Sequence, residues 1–208
     1  HKTLIWGDYA RPEFAFLADN QWVFTEKVDG TNIRIILPPY EENGSQYGIT
    51  FGGRTEEAQL PTRLVPRLQE RFLVIEQRRK LAELFPNGAV LYGEGYGKGI
   101  QKVGSLYGPA QDFVLFDVKM PDAANPEKQW WLQRAAVEAL ANQLDLDDVP
   151  VIGQGTLPEM VEMVRKGFDS IWGAFTAEGI IARPATELLD RGGNRIITKL
   201  KHRDFPRG

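Results

Sequence analysis

Apolar and polar positions alternate with several different periods along this chain. From Leu4 to Asn20 the apolar residues are irregularly spaced among turn formers and Pro12, which predicts an irregular arm with about one helical turn. The runs QWVFTEKVDG and TNIRIILPPY, from Gln21 onward, are dense in β-branched and aromatic residues and are divided by Asp29-Gly30, so two strands joined at a turn are expected. EENGSQYG reads as a polar hairpin loop and ITFGGRT as the strand after it. Between Thr62 and Phe85, Leu64, Leu68, Phe72, Ile75, Leu81 and Leu84 recur at mostly helical spacing. This predicts one helix, with Pro66 in its first turn or marking a later helix start, closed by Asn87-Gly88. AVLYGEGYG and QDFVLFDVKM are strand-like, the second of the buried type. A second helix is expected from Glu127 to about Leu144. A third starts at Thr156, where Glu159 completes a capping box, and stops near Gly167. Strands around FTAEGIIAR and NRIITKLK close the chain.

Strands outnumber helices, and several are joined by hairpin-like turns rather than by crossover helices. The expected class is therefore α+β, with largely antiparallel sheets flanked by helices. No repeat, low-complexity tract or linker interrupts the 208 residues, so a single domain over 1–208 is expected.

Composition adds limits. Hydrophobic residues make up 42% and charged residues 25%, enough for a sizeable core. Cysteine is absent, which excludes disulfides and thiolate metal sites and fits a cytoplasmic location. No apolar run is long enough to span a bilayer, and no membrane partner is expected. With 25 basic against 28 acidic residues the net charge is −3, so tight autonomous binding of nucleic acid would need a local basic groove.

Five groups carry candidate chemistry. In Glu26-Lys27-Val28-Asp29-Gly30-Thr31-Asn32, strand alternation would put Lys27 and Asp29 on one face. A nucleophilic lysine must lose a proton, which neighbouring cations or partial burial favour; an exposed lysine beside a hairpin Asp-Gly is the plainer alternative. Gly30 would allow a turn and a close backbone approach to a ligand. Tyr92-Gly93-Glu94-Gly95-Tyr96-Gly97-Lys98-Gly99 sets one carboxylate among four glycines. It matches neither the dinucleotide fingerprint nor the phosphate-binding P-loop. In Phe113–Asp117, Phe116 is a candidate to stack on a base, against the commoner fate of a core phenylalanine. The last two groups are Glu178-Gly179-Ile180-Ile181-Ala182-Arg183 and Ile197-Thr198-Lys199-Leu200-Lys201. In a strand Lys199 and Lys201 point the same way, and their ammonium groups repel unless an anion such as a triphosphate lies between them. Charge guarding an edge strand is the alternative.

Taken in order, Lys27-x-Asp-Gly, the strand-borne Gly-Glu-Gly, the aromatic strand, Glu178-Gly and Lys199-x-Lys resemble the covalent nucleotidyltransferase superfamily of polynucleotide ligases and capping guanylyltransferases. The resemblance runs from about Trp22 to Lys201. Asn32 stands where DNA ligases carry arginine, and Gly-Thr-Asn is similar to RNA ligases of the phage double-strand-sealing type. Arg34 lies two residues further on, so the ribose-contacting arginine does not transfer to it. Gly52-Gly53-Arg54-Thr55 resembles the short arginine motif of the same enzymes.

The resemblance implies a nucleotidyltransferase (ATP-grasp-like) fold with a nucleotide cleft between its sheets, and an ATP-dependent RNA ligase activity. Lys27 would take AMP from ATP, with Asp29 and Glu178 organising Mg²⁺ or Mn²⁺. Lys199 and Lys201 would neutralise phosphates. Glu26 and Asn32 would line the nucleotide site, Glu94 would bond the ribose, Phe116 would stack on adenine, and Arg54 would touch phosphate or a nucleic-acid end. The expected partner is RNA, as free ends or a nicked duplex, bound by a monomer. Many relatives continue into a C-terminal domain, whereas this sequence ends at Gly208. The expectation is thus a trimmed adenylyltransferase domain or a minimal ligase, with adenylylation of Lys27 a firmer expectation than complete sealing. The alternatives are a DNA ligase, a capping-type nucleotidyltransferase, and a non-catalytic module that binds nucleotides or RNA ends.

Overall fold

A computed structural model describes residues 4–40 and 48–205. In chain order the elements are α1 (Pro12–Phe16), β1 (Trp22–Lys27), β2 (Thr31–Leu37), β3 (Thr50–Gly52), α2 (Leu64–Phe72), α3 (Ile75–Leu84), β4 (Ala89–Tyr96) and α4 (Gly104–Tyr107). They continue as β5 (Asp112–Pro121), β6 (Gln129–Trp131), α5 (Arg134–Leu144), β7 (Val151–Gly155), α6 (Leu157–Lys166), β8 (Gly179–Pro184) and β9 (Thr198–Lys201). The class is α+β, as expected. No described helix is long and apolar enough to cross a membrane.

Two compact units result: His1–Val28 with Val149–Gly208, and Asp29–Asp148. The first holds an antiparallel sheet in the order β7-β1-β8-β9. Alternation sends Trp22, Phe24, Ile180, Ala182 and Leu200 into a core completed by Phe14 of α1 and by Leu157, Met160 and Val164 of α6. The capping box that starts α6 is present: the Thr156 side chain accepts from the Glu159 N–H, and the Glu159 carboxylate accepts from the Thr156 N–H.

The second unit holds the sheet β3-β2-β4-β5-β6, also antiparallel. One face, carrying Ile33, Ile35, Leu91, Phe113 and Leu115, packs on Leu64, Leu68 and Phe72 of α2, Leu81 of α3 and Val137 and Leu144 of α5.

Several elements depart from expectation. Asp29-Gly30 does not close a hairpin, because β1 and β2 belong to different sheets and serve different cores. The helix expected over 62–85 is two helices. Phe72 and Leu81 lie about two and a half turns apart, so an unbroken helix would aim them in opposite directions; the break at Leu73–Val74 lets both be fully buried. The helix expected from Glu127 starts at Arg134, since Gln129–Trp131 pairs with β5 and Trp131 packs its ring on Tyr92 at 5.2 Å. β7 and α4 went unread. Most of the expected EENGSQYG loop, residues 41–47, lies outside the described residues.

Candidate active site

Glu26 and Lys27 are adjacent on β1 and therefore point to opposite faces of the first unit's sheet. Glu26 goes with Trp22 and Phe24 into the interior, where it is 1% exposed. Its carboxylate accepts the Ser170 hydroxyl at 2.6 Å and the Ile171 N–H at 3.0 Å. Burial raises its pKa, and the two hydrogen bonds oppose the rise only in part. The Glu26 side chain is thus not brought to Lys27. Ser170 was missed from sequence, where nothing local links it to a residue 144 positions away.

On the other face, strand register aligns Lys27, Gly179 and Lys201 across β1, β8 and β9. Glu178 immediately precedes β8, and its carboxylate joins the two flanking lysines. Lys27 Nζ donates to Oε2 at 2.5 Å, and Lys201 Nζ lies 2.6 Å from Oε1. The Glu178 side chain is only 8% exposed, against 16% for Lys27 and 22% for Lys201, so the three are held largely out of water. The backbone fixes this placement. The Glu178 carbonyl accepts the His202 N–H at 2.8 Å. Gly179 has room for no side chain, as a Cβ there would sit 2.0 Å from the Leu200 carbonyl oxygen. Lys199 occupies the same face two residues before Lys201, opposite Ile181; it is exposed and has no ion-pair partner among the described residues. These three ammonium groups and one carboxylate sum to +2, suited to a polyanion.

In the second unit, Asn32 and Glu94 are directly paired on β2 and β4, on the sheet face turned away from the helices. Phe116 joins them through a β-bulge. Leu115 pairs with Gly93 and Asp117 with Tyr92, so Phe116 is the extra residue of β5. It is half-buried and takes no part in the core that holds Phe113 and Leu115. The glycines beside Glu94 serve packing: a Cβ on Gly93 would meet the Phe113 ring at 2.3 Å, and one on Gly95 would meet Leu64 at 2.5 Å.

The Asp29-Gly30 step is held from the segment after β4. The Asp29 N–H donates to the Tyr107 hydroxyl at 3.0 Å, and Gln101 Nε2 donates to the Gly30 carbonyl at 2.9 Å. Gln101 does so from a left-handed backbone, φ 58°. Neither residue was singled out from sequence. Gly30 permits a close approach to protein, since its Cβ would lie 2.2 Å from the Gly95 carbonyl oxygen. Arg54 is exposed on the turn that follows β3.

Among the described residues, no cluster of three or more His, Cys, Asp or Glu could hold a metal by itself. A single carboxylate such as Glu178 or Asp29 is the donor set of a magnesium-type ion that is bound mainly by substrate phosphates and water. The residues present fit such an ion.

A family model described as RNA ligase matches residues 20–201. The chain belongs to the RNA ligase family. Solved structures of Naegleria gruberi RNA ligase share the fold. An apo mutant of that enzyme superposes with TM-score 0.64 at 17% identity, covering 91% of this chain and 51% of its own. Two further mutants of it, both with ATP and Mn, give 0.66 at 16% identity, covering 93% and 54%, and 0.65 at 19% identity, covering 95% and 56%. This RNA ligase family member therefore spans about half the length of the solved enzymes it matches. No curated protein matches it.

Proposed function

We propose that the chain is the adenylyltransferase core of an ATP-dependent RNA ligase, with Lys27 as the residue that carries AMP. The observation that carries this reading is the shared carboxylate of Glu178, gripped by Lys27 on one side and Lys201 on the other. An anion set between two aligned lysines marks the place where a phosphate would be held.

Lys27 Nζ attacks the α-phosphorus of ATP. An N–P bond forms, the bond to the bridging oxygen of pyrophosphate breaks, and the amine releases its protons to solvent. Lys199 and Lys201 meet the negative charge that gathers on the phosphate oxygens, from positions set beforehand by β9. Glu178 exchanges its lysine partners as the nucleotide arrives. A divalent cation, held through water by Glu178 and Asp29, would supply further charge neutralisation at the phosphates. Glu94 bonds the ribose, with Asn32 beside it, and Phe116 stacks on adenine. Glu26 contributes to the nucleotide site through its backbone, its carboxylate being taken by Ser170 and Ile171. Arg54 reaches a phosphate or a nucleic-acid end. AMP then passes to an RNA 5′-phosphate, the P–N bond breaking, and an adjacent 3′-hydroxyl displaces it to seal the strand.

The family match and the ATP and Mn of the solved relatives support this reading. Incubation with α-labelled ATP and Mg²⁺ should label the protein and Lys27→Ala should stay unlabelled; preference for GTP, or a labelled alanine variant, would defeat it.

A further inference from the structure

Arg34 has no place in the proposed nucleotide chemistry, yet it is the most deliberately held arginine of the second unit's polar face. It lies on β2 two residues beyond Asn32, opposite Tyr92 on β4 and Gly52 on β3. Alternation puts Ile33 and Ile35 into the core and leaves Arg34 on the Glu94 face. Its Nε donates to the Gly53 carbonyl at 2.6 Å. The guanidinium lies over Gly52, where an added Cβ would come within 3.3 Å of Nη2. The missing side chain at Gly52 therefore gives the plane its seat.

This arrangement spends one of the five N–H donors and keeps the four on the two terminal nitrogens, which have no partner among the described residues. A guanidinium fixed through Nε presents the paired Nη edge that matches phosphate oxygens two at a time. The same carbonyl anchor ties Arg34 to the turn that carries Arg54, one residue further along and exposed. Glu56 and Glu57 follow on that turn but form no ion pair with either arginine among the described residues.

We propose that Arg34, anchored to the turn that carries Arg54, binds a backbone phosphate of the RNA strand being sealed through its paired Nη edge. Its ligand is a phosphodiester of the polynucleotide, separate from the ATP phosphates assigned to the lysines. The site rests on the RNA ligase reading for its ligand, but not on the chemistry at Lys27.

The test is binding of a nicked RNA duplex to the whole chain, measured across a salt series, for wild type, Arg34→Gln and Arg34→Lys. Loss of the phosphate contact in Arg34→Gln should weaken binding about tenfold. It should also make the slope of log affinity against log salt shallower by about one. Arg34→Gln should still incorporate label from α-labelled ATP, which separates this site from the nucleotide site and lets the two readings fail independently. Unchanged affinity and slope in Arg34→Gln, in a variant that melts like wild type, would overturn the proposal. If Arg34→Gln melts early, Arg34→Lys decides: it keeps the charge but loses the paired Nη edge, so affinity should fall several-fold with the salt slope kept, and unchanged affinity would overturn the proposal equally.

Discussion

Lys27 and Lys201 come from opposite ends of the chain and stand in register on either side of Gly179, each holding one oxygen of the Glu178 carboxylate. Neither lysine could keep this position near the other without that carboxylate, because two largely desolvated ammonium groups repel. Exchange of the carboxylate for nucleotide phosphates is the step on which the proposed chemistry turns.

Glu178→Gln should therefore disable the site. The amide oxygen can accept from one lysine, but its NH₂ faces the other. Initial rates of label incorporation from α-labelled ATP should fall by roughly 10²–10³, the scale of a lost preorganised electrostatic contact. Thermal unfolding should show a loss of up to about 3–5 kcal/mol, the scale for removing one partner from a largely buried ion pair. An unchanged labelling rate would remove Glu178 from the mechanism.

Phe116 and Phe113 should behave oppositely. Phe113 is fully buried, and Phe113→Ala should cost about 3–5 kcal/mol of stability by urea unfolding. Phe116 is the bulge residue outside the core, so Phe116→Ala should cost far less and should instead raise the KM for ATP about tenfold, as lost base stacking of about 1–3 kcal/mol would. A large stability loss with normal KM would return Phe116 to a packing role.

Much of this was legible in sequence, and what was not has physical causes. Thr156 and Glu159 announce α6 because a capping box is a local signal four residues long. The order of charged motifs pointed to Lys27, Glu178 and Lys201 together. By contrast, the Asp29-Gly30 pair looks like a hairpin, yet the chain changes sheets there, a choice made by two separate cores. The break between Phe72 and Ile75 contains no glycine or proline to mark it; only the angular mismatch between Phe72 and Leu81 hints at it. Gln129–Trp131 runs into residues that suit a helix, and pairing with Lys119–Pro121 decides for strand. Ser170, Gln101 and Tyr107 act on residues 71 or more positions away, a distance over which spacing carries no information.

Gly30→Ala tests whether that glycine serves packing. A Cβ 2.2 Å from the Gly95 carbonyl oxygen cannot be accommodated without moving β4. Overpacking of this kind costs about 1–3 kcal/mol, so the urea midpoint should drop with no nucleotide present. A variant of wild-type stability that binds ATP poorly would show instead that Gly30 serves the ligand.

Glu26 should leave a signature in the pH dependence of stability. Burial raises its folded-state pKa, so the folded chain keeps this proton to higher pH than the unfolded chain does. Its contribution to stability accordingly falls as pH rises from the ordinary value of 4.5 through the raised folded value, and is level above that. Urea midpoints for wild type and Glu26→Gln across this range should converge or diverge with that shape. Parallel curves would contradict it.

The central claim concerns one bond, between Lys27 Nζ and the phosphorus of AMP. Intact-mass analysis after incubation with ATP and Mg²⁺, followed by peptide mapping, measures it directly. The account predicts a single added adenylate, located on Lys27 and absent from Lys27→Ala. A protein that gains no mass, or carries the adenylate on another residue, would contradict it.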